Sequence, residues 1–137
     1  MAQDIWLNLP VRDLAISTAF FTGIGFERKA GPGNSPQSAS FVIGEKKVVL
    51  MLFAEGMFSG FSGNPLSDTT KGTEVLFSLG ADNRDQVDDI ARRAKAAGGT
   101  VFAEPRESNG FMYGCGICDP DGHRWNVLFM DSNRMRN

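Results

Sequence analysis

One arrangement occurs twice along the 137 residues: a strand, a helix and three more strands, first over about 4–53 and again over about 73–131. The two copies share little residue identity, so the repeat is one of hydrophobic period. Neither copy could bury its sheet face well alone. A chain built this way is therefore expected to form one α+β domain, residues 1–137, from two βαβββ modules.

In the first copy, DIWLNLPV at 4–11 alternates. Ile5, Leu7, Leu9 and Val11 form one face, and Trp6, Asn8 and Pro10 the other, the period of a half-buried strand. Pro10 suits a strand end or a sheet edge. Asp13 precedes LAISTAFFTGIG, in which Leu14, Ser17, Phe20 or Phe21, and Ile24 recur at helical spacing. Asp13 is the expected N-cap and Gly25 the expected stop. Phe26–Ala30 reads as a strand, GPGNSPQS at 31–38 as a loop, and Ala39–Ile43 and Lys47–Phe53 as strands around Gly44-Glu45.

The second copy opens on EVLFSL at 74–79, with Val75, Phe77 and Leu79 on one face. NRDQVDDIARRAKAAGG at 83–99 is the clearest helix. Its apolar stripe is Val87, Ile90, Ala91, Ala94 and Ala97, and Gly98-Gly99 ends it. Its many charges read as a solvated face. Thr100–Ala103 is expected as a strand, Glu104–Gly110 as a loop holding Arg106, and Phe111–Cys118 and Arg124–Met130 as strands. Residues 54–72, rich in glycine and small polar residues, break the pattern. A short helical turn and then a linker is expected there, and Met57, Phe58 and Phe61 leave open a lid or an ordinary connection.

The composition excludes several classes of function. A net charge of -2 offers no field for nucleic acid or anionic lipid. The longest apolar run, VVLMLFA at 48–54, is too short to cross a bilayer, and the N-terminus lacks a signal pattern. A cytoplasmic protein is expected. The two cysteines, Cys115 and Cys118, imply no disulfide framework. With His123, the single histidine, they superficially suggest zinc. Strand residues three apart face opposite sides, however, and no fourth ligand is at hand. DPDGH at 119–123 reads instead as a tight turn, with Gly122 at a positive φ and His123 at its rim.

These features together, with NLPVRDL closing the first strand, AFFTGIGF in the first helix and DPDGHRWNV late in the chain, resemble the vicinal oxygen chelate superfamily of glyoxalases, bleomycin-resistance proteins and extradiol dioxygenases. The resemblance covers about residues 4–131 and is nearest to small bacterial glyoxalase-like proteins. It implies an open eight-stranded shell with helices outside, a ligand held inside, and a homodimer. Metal-dependent members place one ligand on the first and last strand of each module, typically His, Gln or Glu. Matched by motif, those positions are Trp6, Met51, Glu74 and Asn126. An indole N–H only donates, a thioether is soft, and Asn126 is a weak neutral ligand. Glu74 alone suits a hard cation.

The expectation is therefore a small-molecule binder with no metal or other cofactor. Trp6, Asn8, Met51, Phe53, Tyr113 and Asn126 are its candidate ligand-binding residues. Two alternatives stay open: a divalent-metal lyase of the lactoylglutathione lyase type, and an enzyme using Glu74 as a general base.

Overall fold

The first strand, β1 (Trp6–Val11), buries Leu9 and Val11 and leaves Trp6 and Asn8 exposed, as its alternation requires. The structure is a computed structural model and describes residues 2–134. It forms two units, Met1–Asp68 and Thr69–Asn137. Each carries one open four-stranded mixed sheet, so the chain is α+β with eight strands and three helices among the described residues.

The first unit continues with α1 (Leu14–Gly23), β2 (Glu27–Arg28), β3 (Ser38–Ile43), β4 (Val48–Ala54) and α2 (Glu55–Ser62). Asp13 caps α1, its carboxylate accepting from the Ile16 N–H at 3.1 Å. The sheet order is β1-β4-β3-β2, with β1 parallel to β4 and the other pairs antiparallel. Phe20, Phe21 and Ser17 of α1 are buried, and the Phe21 ring lies 5.9 Å from that of Phe41 on β3. Leu50, Leu52 and Phe41 complete this core at zero exposure. The strand expected at Phe26–Ala30 shrinks to two residues. The break expected after Phe53 is in part a regular helix, α2, which packs against β1 and β4.

The second unit comprises β5 (Leu76–Gly80), α3 (Arg84–Ala96), β6 (Thr100–Ser108), β7 (Met112–Cys118) and β8 (Arg124–Met130). Its order, β5-β8-β7-β6, repeats that of the first sheet, with β5 parallel to β8. Val87, Ala91 and Ala94 of α3 are buried, as are Cys115, Ile117, Trp125 and Val127 of the sheet. Asn83 caps α3 through the Gln86 N–H.

Two expectations change here. Glu104–Gly110 is not a loop, because β6 runs on to Ser108 with register shifts after Val101 and after Ala103. Pro105 is tolerated because β6 is an edge strand, where a missing N–H breaks no ladder. Arg106 is thus a strand residue, paired with Gly114. The strand expected to open at Glu74 begins at Leu76, which leaves Glu74 exposed in a bend before it. No helix among the described residues is long and apolar enough to cross a membrane.

Candidate functional site

Paired strand residues point to the same side of a sheet, so the register states which side chains stand together. In the first unit, Asn8, Met51 and Ser40 form one row across β1, β4 and β3. Pro10 and Phe53 form the next, and Trp6 with Val49 the one before. All of these project from the face opposite α1, called here the pocket face. Four expected residues are thereby brought onto one surface: Trp6, Asn8, Met51 and Phe53.

Two segments cover part of that surface. The Phe61 ring of α2 meets the Phe53 ring edge-on at 5.2 Å. The 31–38 loop comes down on Met51, where a Cβ on Gly33 would stand 3.2 Å from the methionine methyl. Asn34 locks that loop, accepting from the Ser40 N–H at 3.0 Å and donating to the Lys29 carbonyl at 2.7 Å. Between β1 and α2, Asn8, Phe58, Phe61 and Ser62 line a cavity of about 270 Å³. Sites for drug-sized ligands span roughly 300–1,000 Å³, so this one suits a small ligand. Its walls carry one carboxamide, one hydroxyl and two phenyl rings, with no formal charge. A wider groove of about 520 Å³, lined by Leu14, Thr18, Arg28 and Asn34 among others, lies along α1 instead.

The second unit holds the remaining candidates. Ser78, Asn126 and Gly116 make up the row that corresponds to Asn8, Met51 and Ser40. Asn126 is half-buried on the face opposite α3. With Arg106, Ser108, Met112 and Leu128 it lines a cavity of about 130 Å³. Tyr113 does not join it. Alternation along β7 sends Tyr113 with Cys115 and Ile117 to the α3 side, where its hydroxyl donates to Asp88 at 2.7 Å. The bond to that carboxylate, followed by burial, pushes the phenol pKa up. Cys115 faces the same way, and burial pushes its thiol up to about 11. A thiol so placed is protonated at neutral pH and unreactive. Cys115 and Cys118 are both free, as expected of residues on opposite faces.

The DPDGH turn holds what the sequence reading missed. Asp119, Asp121 and His123 bring three potential ligand atoms within 4.8 Å of one another. Two acids and an imidazole at alternate positions are the sequence signal for it, inside a stretch expected to be a tight turn. The turn itself is as expected: Gly122 has φ +84°, and the Gly122 N–H donates to the Asp119 carbonyl at 2.9 Å. Asp119 is already engaged. One oxygen accepts from the Asp121 and His123 N–H groups, each at 3.0 Å, and the other from the Trp125 indole at 3.2 Å. Thr69 clasps the same turn, donating its hydroxyl to the Asp121 carbonyl at 2.6 Å.

Comparison with known proteins agrees with this architecture. The chain superposes on the structure of hypothetical protein SA1046 from S. aureus with TM-score 0.81 and 35% identity, over 94% of each chain. A glyoxalase-related enzyme from Fulvimarina pelagi gives TM-score 0.79 at 19% identity, over 94% of this chain and 88% of that one. Lactoylglutathione lyase from Agrobacterium tumefaciens gives 0.65 at 21% identity, over 94% of each. The last two likenesses speak for the fold alone. No curated protein matches the chain. The model of the Glyoxalase/Bleomycin resistance protein/Dioxygenase superfamily matches residues 5–127, and the chain belongs to that superfamily.

Proposed function

We propose that the protein binds a small, largely apolar molecule on the pocket faces of its sheets, without the superfamily's usual metal. The observation that carries this reading is the cavity of about 270 Å³ among Asn8, Phe58, Phe61 and Ser62, with the Phe53 ring edge-on to that of Phe61. Phenyl walls supply the burial that drives binding, and one amide fixes orientation. The donor chemistry supports the second half of the proposal. Trp6 and Met51 occupy two of the four superfamily ligand positions and do not suit a hard divalent cation.

A thermal-shift screen of one- and two-ring metabolites and aromatic antibiotics tests the proposal. A ligand at one hundred times its Kd stabilises by about 2.7 kcal/mol, a shift of several degrees. Asn8→Ala is expected to weaken binding about five-fold, the worth of one hydrogen bond. Phe58→Ala is expected to weaken it more. A broad panel without a shift would remove the proposal. Glu74→Gln separates a binder from an enzyme, since loss of turnover at unchanged affinity would assign Glu74 the role of base.

Pairing into a homodimer belongs to the same reading. It is supported by β1, a sheet edge whose flank exposes Ile5 and Trp6, at 63% and 66%. Such an edge is a template for pairing unless covered. Sedimentation is expected to give twice the chain's mass, and a monomer at tens of micromolar would argue against pairing.

A further inference from the structure

We infer that the pocket face of the second sheet is a subsite for an oxyanion, a carboxylate or phosphate group on a small ligand, held by Arg106 beside Asn126, with Arg124 on the other flank of the Asn126 row. The inference shares Asn126 with the binding role proposed above and adds the charge of what is bound there.

The second unit commits its arginines unevenly. Arg84 pairs with Glu107, Arg92 and Arg93 with Asp89, and Arg134 with Glu107 and Asp131. Among the described residues of this unit, only Arg106 and Arg124 are arginines without a carboxylate in ion-pair reach. Both belong to the pocket face. Arg124 stands two residues before Asn126 on β8. Arg106 pairs with Gly114, which pairs with Leu128, two residues beyond Asn126. Successive rows on one face are about 7 Å apart, so the two guanidinium-bearing rows flank the Asn126 row on either side.

The two shifts in β6 put Arg106 there. With Ala103 opposite Gly116, a regular ladder would set Pro105 opposite Gly114, and the second irregularity substitutes Arg106. Bulges of this kind re-aim side chains. Gly116 is the second device. A Cβ there would come within 2.3 Å of the Phe102 ring, so only glycine lets that ring lie flat on the sheet. The Arg124 guanidinium then stacks 4.4 Å from the Phe102 centroid. Stacking uses its face and leaves its in-plane N–H donors free.

The cavity lined by Arg106, Ser108 and Asn126 measures about 130 Å³. That is about four waters' share of liquid volume, the size of an oxyanion and the atoms next to it. The one carboxylate among its lining residues, Glu104, is held through both oxygens by Lys95 at 3.0 and 3.1 Å. Its charge is thus compensated from the α3 side. A guanidinium matches carboxylate and phosphate geometry through paired N–H bonds, while the neutral Asn126 amide donates without repelling either.

Titrations of the intact chain with benzoate, benzamide and inorganic phosphate, followed by amide chemical shifts, test this. Benzoate or phosphate is expected to perturb Gly114, Gly116 and Asn126 and to bind at least ten-fold more tightly than benzamide, which has the shape of benzoate without its charge. Which of the two anions binds more tightly identifies the source of the oxyanion. Arg106→Gln is expected to lower the affinity about ten-fold, and Arg92→Gln, on α3, to leave it unchanged. Equal binding of benzoate and benzamide, no binding of either anion at about 10 mM, or full affinity in Arg106→Gln would each overturn the inference. A neutral aromatic ligand that shifts melting through Asn8 and Phe58 while the anions do nothing would sink this inference and leave the proposed function standing.

Discussion

Replacing Trp125 by alanine is expected to destabilise the fold by about 3–5 kcal/mol, the range for truncating a buried aromatic. Trp125 has zero exposure, its ring centroid lies 4.8 Å from that of Phe77, and its indole N–H donates to Asp119. Truncation would leave a cavity under α3 and remove one of the donors that hold the Asp119 carboxylate. Domains of this size unfold at about 5–15 kcal/mol, so a measurable unfolded population without denaturant is within range. Trp6→Ala is the matched comparison. Trp6 is 66% exposed, and its loss is expected to cost less than about 1 kcal/mol. The chain holds two tryptophans, which makes the readout simple. Urea melts followed by far-UV circular dichroism compare the two variants, and Trp6→Phe leaves Trp125 as the only indole reporter. Similar midpoints for Trp125→Ala and Trp6→Ala would contradict the assignment of Trp125 to the core.

That contrast between two tryptophans was legible in the sequence, because period-two alternation assigns faces without knowing the fold. Alternation groups Leu9 with Val11 on β1 and Trp125 with Val127 on β8, and all four are buried. Caps were equally readable, since Asp13 and Asn83 each precede an apolar-periodic run and accept the N–H three residues on. What failed was punctuation. TVFAEPRES carries a proline and three charges, which are turn signals in isolation, yet on an edge strand they obstruct nothing. Strand ends failed in the same way at Glu74, two residues outside β5.

The same contrast between local pattern and long-range pairing runs through the candidate site. Asn8, Met51 and Phe53 stand in adjacent rows because their spacing follows from one strand and its register. Tyr113 was expected among the ligand-binding residues, but it shares the parity of the buried Cys115 and Ile117, and its hydroxyl turns to Asp88 of α3. The sequence contained that signal. The role of Arg106 was not in it, because the register shifts of β6 depend on pairing with β7 and not on local residue type. Phe58 and Phe61 were visible as apolar residues in a break. Their place opposite Asn8 required α2 to form and turn back on β1.

The pH dependence of stability should carry the mark of Asp119. Burial pushes its carboxyl pKa up from 3.8 to about 6. The nearby His123, the indole of Trp125 and the His123 N–H pull the other way without offsetting the burial, and Asp121 adds to the rise. Because the folded value lies above the unfolded one, the native chain holds more protons than the unfolded chain between about pH 4 and pH 6. Stability from this group is therefore complete below about pH 4 and is lost as pH rises through about 6. At about 1.4 kcal/mol per unit, the loss is on the order of 3 kcal/mol. Most carboxylates act in the opposite sense, so the slope is diagnostic. Asp119→Asn supplies the reference, since its amide cannot titrate there. Urea melts of both proteins across that window are expected to show the wild type losing stability relative to the variant as pH rises. Parallel curves would mean that the three N–H donors offset the burial and that Asp119 ionises at its ordinary pH. The turn sits directly before β8 and sets where Arg124 and Asn126 begin.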